Sequence, residues 1–207
     1  MKPCPESGAT GERNEGIVSP SKPHKNVLDG RRAALLVIDV QERFRPAIAE
    51  FPSMAAACGR LVRAFRLLDL PVLITEQYPK GLGPTAPEVL DAFGPETFKV
   101  PEKTAFSALR CAGLPERLAA SGARSVLVCG IEAHVCVNQS VHDLLAAGYE
   151  VHVAVDAVQS RRALDREMAL RKMERSGAVL TTCEAAAFEI MADSKHPRFK
   201  EVQGLFK

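Results

Sequence analysis

The chain has 207 residues, of which 46% are hydrophobic and 25% are charged, and its formal net charge is +2. This length suits one domain that buries most of its apolar surface, and the small charge gives no electrostatic reason to expect binding to nucleic acid. Because no apolar run approaches the roughly 18 residues of a membrane helix, the sequence also predicts no association with a membrane.

The N-terminal segment differs in composition from the remainder of the chain. Residues 1–30 are rich in Pro, Gly, Ser, Glu and Lys and hold few large apolar side chains. Such a segment cannot offset the entropy of its own ordering, so we expect a disordered tail over 1–30 and one folded domain over 31–207.

The cysteines and the N-terminal segment also bear on cellular location. The six cysteines form no CxxC pair, and residues 1–30 contain no apolar stretch of the secretory kind. The simplest interpretation is an intracellular, cytoplasmic protein with reduced thiols. A mitochondrial location stays open, although the acidic residues of the tail do not favour a mitochondrial presequence.

The predicted elements begin with a continuous apolar run at 33–39, which is typical of a strand buried on both faces. Ser53 is placed to cap a helix that runs to about Leu68. A second strand is predicted at 71–77, and the glycines and prolines that follow it predict a long loop over 81–87.

The same alternation continues in the second half of the chain, after an extended and irregular segment at 98–107. Helices are predicted at 114–121, 137–147, 163–176 and 184–192, strands at 125–131, 150–158 and 178–183, and a short helix in the C-terminal tail. Strands that alternate with helices are typical of a parallel sheet covered on both faces. The expected fold class is therefore α/β, a three-layer α/β/α domain with a mostly parallel sheet.

Candidate functional residues follow from the strand ends, because ligands of such folds bind outside the carboxyl ends of the strands. Asp39, Gln77 and the turn that leads to Cys136 all fall at predicted strand ends. Cys136 would stand in the first turn of the helix over 137–147. A helix N-terminus lowers the pKa of a thiol, and its free N–H groups stabilise negative charge on a substrate oxygen.

A nucleophilic thiol also needs a base and a compensating charge. Asp39 is a candidate base, and Lys103 is a candidate cation that would keep the carboxylate ionised and the sulfur anionic. Each residue also has an ordinary structural interpretation. Cys136 could be a buried apolar group, Asp39 a cap at the end of its strand, and Lys103 a solvated surface charge.

Three motifs carry a resemblance to a known family: LLVIDVQERF at 35–44, KTAFS at 103–107 and GIEAHVCV at 130–137. In this order and spacing they resemble the isochorismatase-like cysteine hydrolase superfamily. The stretches LITEQYPKGLGPT and HPRFKEVQ are similar to the isochorismatase domain-containing proteins of that superfamily. The resemblance covers the chain from about Arg32 to the C-terminus and implies the isochorismatase-like hydrolase fold.

The resemblance implies an Asp-Lys-Cys catalytic triad, which falls on Asp39, Lys103 and Cys136. It also implies a cis peptide bond between Ile131 and Glu132, which would turn the Glu132 and Cys136 N–H groups toward one oxyanion site. The implied activity is hydrolysis of a small amide or related carbonyl substrate by a homo-oligomer.

No metal or other cofactor is expected. Nicotinamidases of this superfamily carry a metal-binding D-x-H-x-H stretch after the second strand, where this chain has TEQYPKGLG and no histidine. No Cys/His cluster has zinc spacing either, which argues against nicotinamide as the substrate. The side chains expected to line the substrate pocket follow the strand ends: Gln41, Phe44, Gln77, Tyr78, Leu82 and His134.

Several alternatives stay open at this point. Phe44 fits a core aromatic equally well, and His134 fits a turn residue that faces solvent. The chain could be a catalytically silent binding or scaffold protein of the same fold. It could also be a redox-sensing thiol protein, because thiols of low pKa oxidise readily.

Overall fold

The computed structural model describes residues 24–94 and 99–207, which hold six strands. These are β1 (Ala33–Ile38), β2 (Val72–Gln77), β3 (Glu102–Lys103), β4 (Ser125–Ile131), β5 (Glu150–Gln159) and β6 (Val179–Thr181). They form one sheet in the order β3-β2-β1-β4-β5-β6, and every pair of neighbours is parallel. The predicted α/β fold with a parallel sheet is confirmed.

Eight helices accompany the strands within the described residues. They are α1 (Phe51–Leu67), α2 (Pro79–Leu82), α3 (Pro87–Leu90), α4 (Leu114–Ala120), α5 (Asn138–Ala146), α6 (Ala163–Arg175), α7 (Cys183–Met191) and α8 (Phe199–Gly204). One apolar core lies between the sheet and α1, α3 and α7, and a second lies between the sheet and α4, α5 and α6. The sheet is therefore covered on both faces.

The two central strands show why their sequences are continuously apolar. Every residue of β1 and β4 is buried. Successive side chains of a strand point to opposite faces, so Leu35 and Val37 pack in the first core while Leu36 and Ile38 pack in the second. No side chain of a strand covered on both faces points to solvent, so polar and apolar residues do not alternate along it.

The structure differs from the predicted elements at several local points. Helix α1 begins at Phe51, and Ser53 is not its cap, because its hydroxyl donates to the Glu50 carbonyl within the first turn. The loop predicted over 81–87 is shorter in the structure, because α2 extends to Leu82 and α3 begins at Pro87. Strand β3 is two residues long, too short for a period in the sequence to reveal it.

The predicted tail, 1–30, falls largely outside the described residues, which begin at His24. At its described end, Leu28 is buried in the first core, and its N–H donates to a Glu189 carboxylate oxygen at 3.0 Å. Packing therefore reaches back to Leu28. Within 24–94 and 99–207, no helix combines the length and the hydropathy needed to cross a lipid bilayer.

Gly130 allows the ends of β1 and β4 to approach closely. It pairs with Ile38 in the sheet register and has a φ of 116°, which disfavours residues with a side chain. A Cβ at this position would lie 2.0 Å from the Ile38 carbonyl oxygen. Glycine is therefore required where the two strands lead into Asp39 and Glu132.

Candidate active site

Four neighbouring strands bring the predicted functional residues to one edge of the sheet. Asp39 directly follows β1, Gln77 ends β2 and Lys103 ends β3. Cys136 lies in a π-helical turn, Ala133–Val137, between β4 and α5. Because parallel strands end at the same edge, residues distant in the sequence become neighbours here.

Asp39 and Lys103 form a buried ion pair. The Lys103 Nζ atom lies 2.6 Å from Asp39 Oδ2, and the two side chains are 0% and 1% exposed. The second carboxylate oxygen accepts a hydrogen bond of 2.8 Å from the Thr75 hydroxyl. Lys103 also donates to Gln77 Oε1 at 2.7 Å and to the Phe106 carbonyl at 3.0 Å. All three ammonium protons are therefore engaged by oxygen acceptors.

The environment makes Asp39 a stronger base than an ordinary aspartate. Burial is the largest influence and raises the pKa of the Asp39 carboxyl, while the charge and hydrogen bond of Lys103 oppose the rise. The nearby Cys136 thiol and the hydrogen bond from Thr75 also favour the ionised form and lower the pKa. The carboxylate is consequently held in place but keeps a raised affinity for a proton.

The Cys136 thiol is the third member of this cluster. Its Sγ atom lies 4.0 Å from Gln77 Oε1, and both Asp39 and Lys103 are close enough to shift its pKa. Burial and then the Asp39 charge raise the pKa of the thiol to about 12, with Lys103 acting in the opposite direction. The expectation of a thiol pKa lowered by a helix N-terminus is therefore wrong. Cys136 precedes α5 in a buried turn, and its carboxylate neighbour disfavours a second negative charge.

A cavity of about 290 Å³ opens beside the cluster. Its lining consists of Asp39, Phe44, Gln77, Leu82, Phe106, Ile131, Glu132, Val135, Cys136 and Arg161. Three of the residues expected to line a pocket, Phe44, Gln77 and Leu82, are thus among its walls. The lining is mainly apolar, with the titratable groups gathered at the strand ends.

Two of the residues expected to line the pocket lie elsewhere. The Gln41 amide ties β2 to the following loop, since it donates to the Gln77 and Gly83 carbonyls at 3.1 and 2.7 Å and accepts the Gln77 N–H at 2.8 Å. Tyr78 has a left-handed φ of 38°, and its ring packs over Gly81 and is 55% exposed. Neither side chain lines the cavity.

His134 is also outside the cavity, although it lies two residues before the cysteine. Its Nδ1 atom is 3.0 Å from the Ser160 hydroxyl, and its Nε2 atom is 3.9 Å from the Asp165 carboxylate of α6. These contacts direct the ring toward α6. They fit the alternative that His134 is a turn residue, with α6 rather than solvent as its neighbour.

Four lining residues were not predicted from the sequence: Phe106, Ile131, Val135 and Arg161. Phe106 lies in the KTAFS motif, and Arg161 comes two residues after β5. The strand-end argument that selected Asp39 and Gln77 applies equally to β5, so it could have found Arg161. Arg161 donates through Nε and its backbone N–H to Glu132 Oε2, both at 3.0 Å.

Two further features bear on the resemblance. The Ile131–Glu132 peptide bond is cis, as the resemblance implies. Across the described ranges, no three His, Cys, Asp or Glu side chains are arranged to hold a metal ion.

Comparison with known proteins agrees with the fold and the motifs. Residues 33–185 match the family model described as the isochorismatase domain. Isochorismatase domain-containing protein 2 of Xenopus laevis is 44% identical over 176 residues, which is 85% of this chain and 84% of that protein.

Solved structures give the same result. A structure described as the MAR1 ribonuclease of Caenorhabditis elegans is 42% identical, with a TM-score of 0.78 over 86% of this chain and 91% of that one. The YcaC gene product of Escherichia coli, described as an octameric hydrolase of unknown specificity, shares the fold at 24% identity and a TM-score of 0.77, over 90% and 91% of the two chains. The chain therefore belongs to the isochorismatase family, and the resemblance inferred from its motifs is confirmed.

Proposed function

We propose that this protein is a metal-independent cysteine hydrolase that cleaves a small amide or related carbonyl compound. The observation that carries the proposal is the buried Asp39 carboxylate, which accepts a hydrogen bond from Lys103 at 2.6 Å and lines the same cavity as the Cys136 thiol. Acid, cation and sulfur are the groups that such a reaction requires.

The first half of the reaction is acylation of the sulfur. Asp39 takes the proton of Cys136 as the sulfur attacks the carbonyl carbon, so a free thiolate never accumulates. This coupling suits a thiol whose pKa is raised to about 12 and a base whose pKa is also raised. The backbone N–H groups of Glu132 and Cys136 would donate hydrogen bonds to the carbonyl oxygen as negative charge develops on it. Asp39 then gives its proton to the leaving nitrogen as the C–N bond breaks.

The second half releases the acid product. Asp39, again ionised, removes a proton from water as the water oxygen attacks the thioester carbon. The C–S bond breaks, and the proton held by Asp39 returns to the sulfur. One water is consumed, and the products are a carboxylic acid and an amine.

Lys103 acts through its position and charge. Its ammonium group donates to Asp39, Gln77 and the Phe106 carbonyl, and it is also near enough to the sulfur to act on the thiol. Its charge lowers the pKa of Cys136 and opposes the burial effect on Asp39. Lys103 therefore keeps Asp39 ionised between turnovers and favours the thiolate as it forms.

The test is turnover on a panel of small primary amides, followed by ammonia release. Native protein should hydrolyse at least one member, and Cys136→Ser should abolish that activity. Cys129→Ser is the matched control, because Cys129 is buried in β4 and does not line the cavity. Equal activity of native protein and Cys136→Ser would exclude cysteine catalysis. A panel with no turnover would favour the scaffold alternative.

Cleavage of RNA is a second candidate, favoured by 42% identity to the chain described as a ribonuclease. The cavity is small and mainly apolar, which suits a compact organic substrate better than a polyanion. A single-stranded RNA incubated beside the amides distinguishes the two. RNA cleavage that is lost in Asp39→Asn but kept in Cys136→Ser would support the ribonuclease.

The redox alternative has less support. The pKa of Cys136 is raised, whereas readily oxidised thiols have a lowered one. The five cysteines of the described residues are free thiols, which fits the proposed intracellular location. A reversible disulfide formed by Cys136 in dilute peroxide would restore the redox interpretation.

We also propose that the protein is a homo-oligomer. The support is the octameric E. coli neighbour of the same fold, together with two exposed apolar residues of α6, Leu164 and Met168. Sedimentation equilibrium tests this, and a monomer at micromolar concentration would contradict it.

A further inference from the structure

A second ion pair borders the active-site cavity. Both Glu132 and Arg161 line the cavity, and Glu132 Oε2 accepts two hydrogen bonds of 3.0 Å from Arg161, one from Nε and one from the backbone N–H. The Glu132 side chain is 6% exposed, whereas that of Arg161 is 57% exposed. Glu132 therefore anchors one edge of the guanidinium, while the remainder stays accessible from the open side of the cavity.

The terminal nitrogens of Arg161 remain available. Nη1 and Nη2 have no hydrogen-bond acceptor among the described residues, so four N–H donors of a permanent cation are unengaged. Lys103, the other cation of the site, already donates to three oxygen acceptors. Arg161 is thus the lining cation that can still bind a ligand.

We propose that Arg161 binds a carboxylate of the substrate, so that the substrate class is a small amide with a carboxylate at the end remote from the scissile bond. This inference rests on the proposed hydrolase function. A guanidinium holds a carboxylate through two parallel hydrogen bonds, a geometry that a neutral amide does not match.

The remainder of the lining suits the same class of molecule. Apolar side chains supply most of the wall: Phe44, Leu82, Phe106, Ile131 and Val135. They fit a short hydrocarbon or aromatic segment between the amide and the carboxylate. The Asp39 charge is compensated by Lys103, and the Glu132 charge is compensated by Arg161. A substrate carboxylate that enters the cavity therefore finds the free N–H donors of Arg161 and is not repelled by an uncompensated carboxylate of the lining.

Two thiol reagents test the charge preference without any need for turnover. Iodoacetate carries a carboxylate where iodoacetamide carries a neutral amide, and the alkylation of Cys136 by each is followed by peptide mass spectrometry. Arg161→Ala should slow the reaction with iodoacetate about tenfold more than the reaction with iodoacetamide, since the cation that lines the cavity no longer attracts the anionic reagent.

The matched control is Arg162→Ala. Arg162 carries the same charge at the next position, but it is exposed and does not line the cavity. Its removal should change the ratio of the two rates by less than about twofold, because a solvated charge is screened by salt. An equal effect of Arg161→Ala on both reagents, or an Arg162→Ala effect as large as that of Arg161→Ala, would overturn the proposal. Neither result depends on whether amides are hydrolysed.

Binding gives an independent readout, which decides the matter if Cys136 resists both reagents. Calorimetry on Cys136→Ser compares adipamate, the monoamide of a six-carbon diacid, with hexanamide, which has the same length and no carboxylate. Adding Arg161→Ala should weaken adipamate binding about tenfold and leave hexanamide unchanged. Failure of native-like Cys136→Ser to prefer adipamate would refute the carboxylate subsite.

Discussion

Cys136 and Cys129 lie seven positions apart in the chain, and both are buried. Burial raises the pKa of both thiols, that of Cys136 to about 12 and that of Cys129 well above its usual range. Their neighbours differ. Cys129 lies in the first core, where Cys58 and Cys183 are its sulfur neighbours. Cys136 faces a carboxylate, an ammonium and a cavity. A perturbed pKa alone therefore does not identify a nucleophile; a base and access for substrate must accompany it.

The largest expected effect separates the two cysteines by activity and stability. Cys136→Ser should lower amide hydrolysis by at least about 10³-fold, because the sulfur nucleophile is lost. Cys129→Ser should keep the activity but lose about 1–3 kcal/mol of unfolding free energy, because a hydroxyl replaces a thiol in an apolar core. Initial rates and urea unfolding of both variants measure this. A loss of activity in Cys129→Ser at unchanged stability would remove the distinction.

The next effect concerns the ion pair that only Cys136 has beside it. Lys103→Met should lower the unfolding free energy by about 3–5 kcal/mol, because the buried Asp39 carboxylate is left without its counter-charge. Adding Asp39→Asn to that variant should recover part of the stability without recovering activity. Urea unfolding of the two variants measures the coupling, and purely additive losses would show that the pair is not coupled.

The pH dependence of alkylation tests whether Asp39 sets the state of the sulfur. With a thiol pKa of about 12, the rate of Cys136 alkylation by iodoacetamide should rise steadily up to pH 9 without a plateau. Asp39→Asn removes a negative charge that disfavours the thiolate, so the pKa of the thiol should fall and the alkylation rate should level off at a lower pH than in the native protein; the comparison uses the pH of that plateau, because the variant also lacks the base. A plateau near pH 7 in the native protein would contradict the resting thiol.

The smallest expected effect comes from a buried titratable group, His152, on which burial outweighs the two carboxylates that act on it, Glu189 and Glu150. His152 in β5 is fully buried, and neither ring nitrogen has a hydrogen-bond partner among the described residues. Burial lowers the pKa of His152 in the folded protein. Near pH 6.5 the histidine of the unfolded chain therefore binds a proton, whereas that of the folded protein stays neutral. The stability advantage of the neutral ring is present above that pH and is lost as the pH falls.

His152→Leu should remove this dependence. Between pH 7.5 and 5.5, the native protein should lose about 1 kcal/mol more unfolding free energy than the variant loses. Urea unfolding at the two pH values measures the difference, and His142→Leu serves as the control, because His142 is only partly buried and both of its ring nitrogens have partners. Equal pH dependence in native protein and His152→Leu would show that burial of this ring does not govern acid stability.

The sequence predicts the central fold well because its signals are local and strong. Strand β4 was predicted over 125–131 and is observed over Ser125–Ile131. The edge strand β3 was not predicted as a strand, because two residues carry no period and its existence depends on pairing with β2. The π-helical turn before α5 was likewise not predicted, because a single turn of five residues does not produce a recognisable i, i+4 pattern.

The candidate site was predictable to the extent that it follows strand ends and motifs. The sequence argument selects Asp39, Lys103 and Cys136, and the structure brings these three side chains to the same end of the sheet. The pocket walls were less accessible to sequence reasoning, because the direction of a side chain depends on local backbone. Tyr78 turns outward through a left-handed φ, and the Gln41 amide is fully engaged by backbone groups.

The proposed chemistry also depends on Gly130, a residue that carries no reactive group. The alignment of a proton acceptor with a sulfur rests on two backbones that nearly touch, since a single methyl group there would meet the Ile38 carbonyl at 2.0 Å. Walls of the cavity can be exchanged to suit a new substrate while the reacting atoms stay where they are. Widening the gap between the two strands, by contrast, would separate those atoms and abolish the reaction although no reactive group is changed.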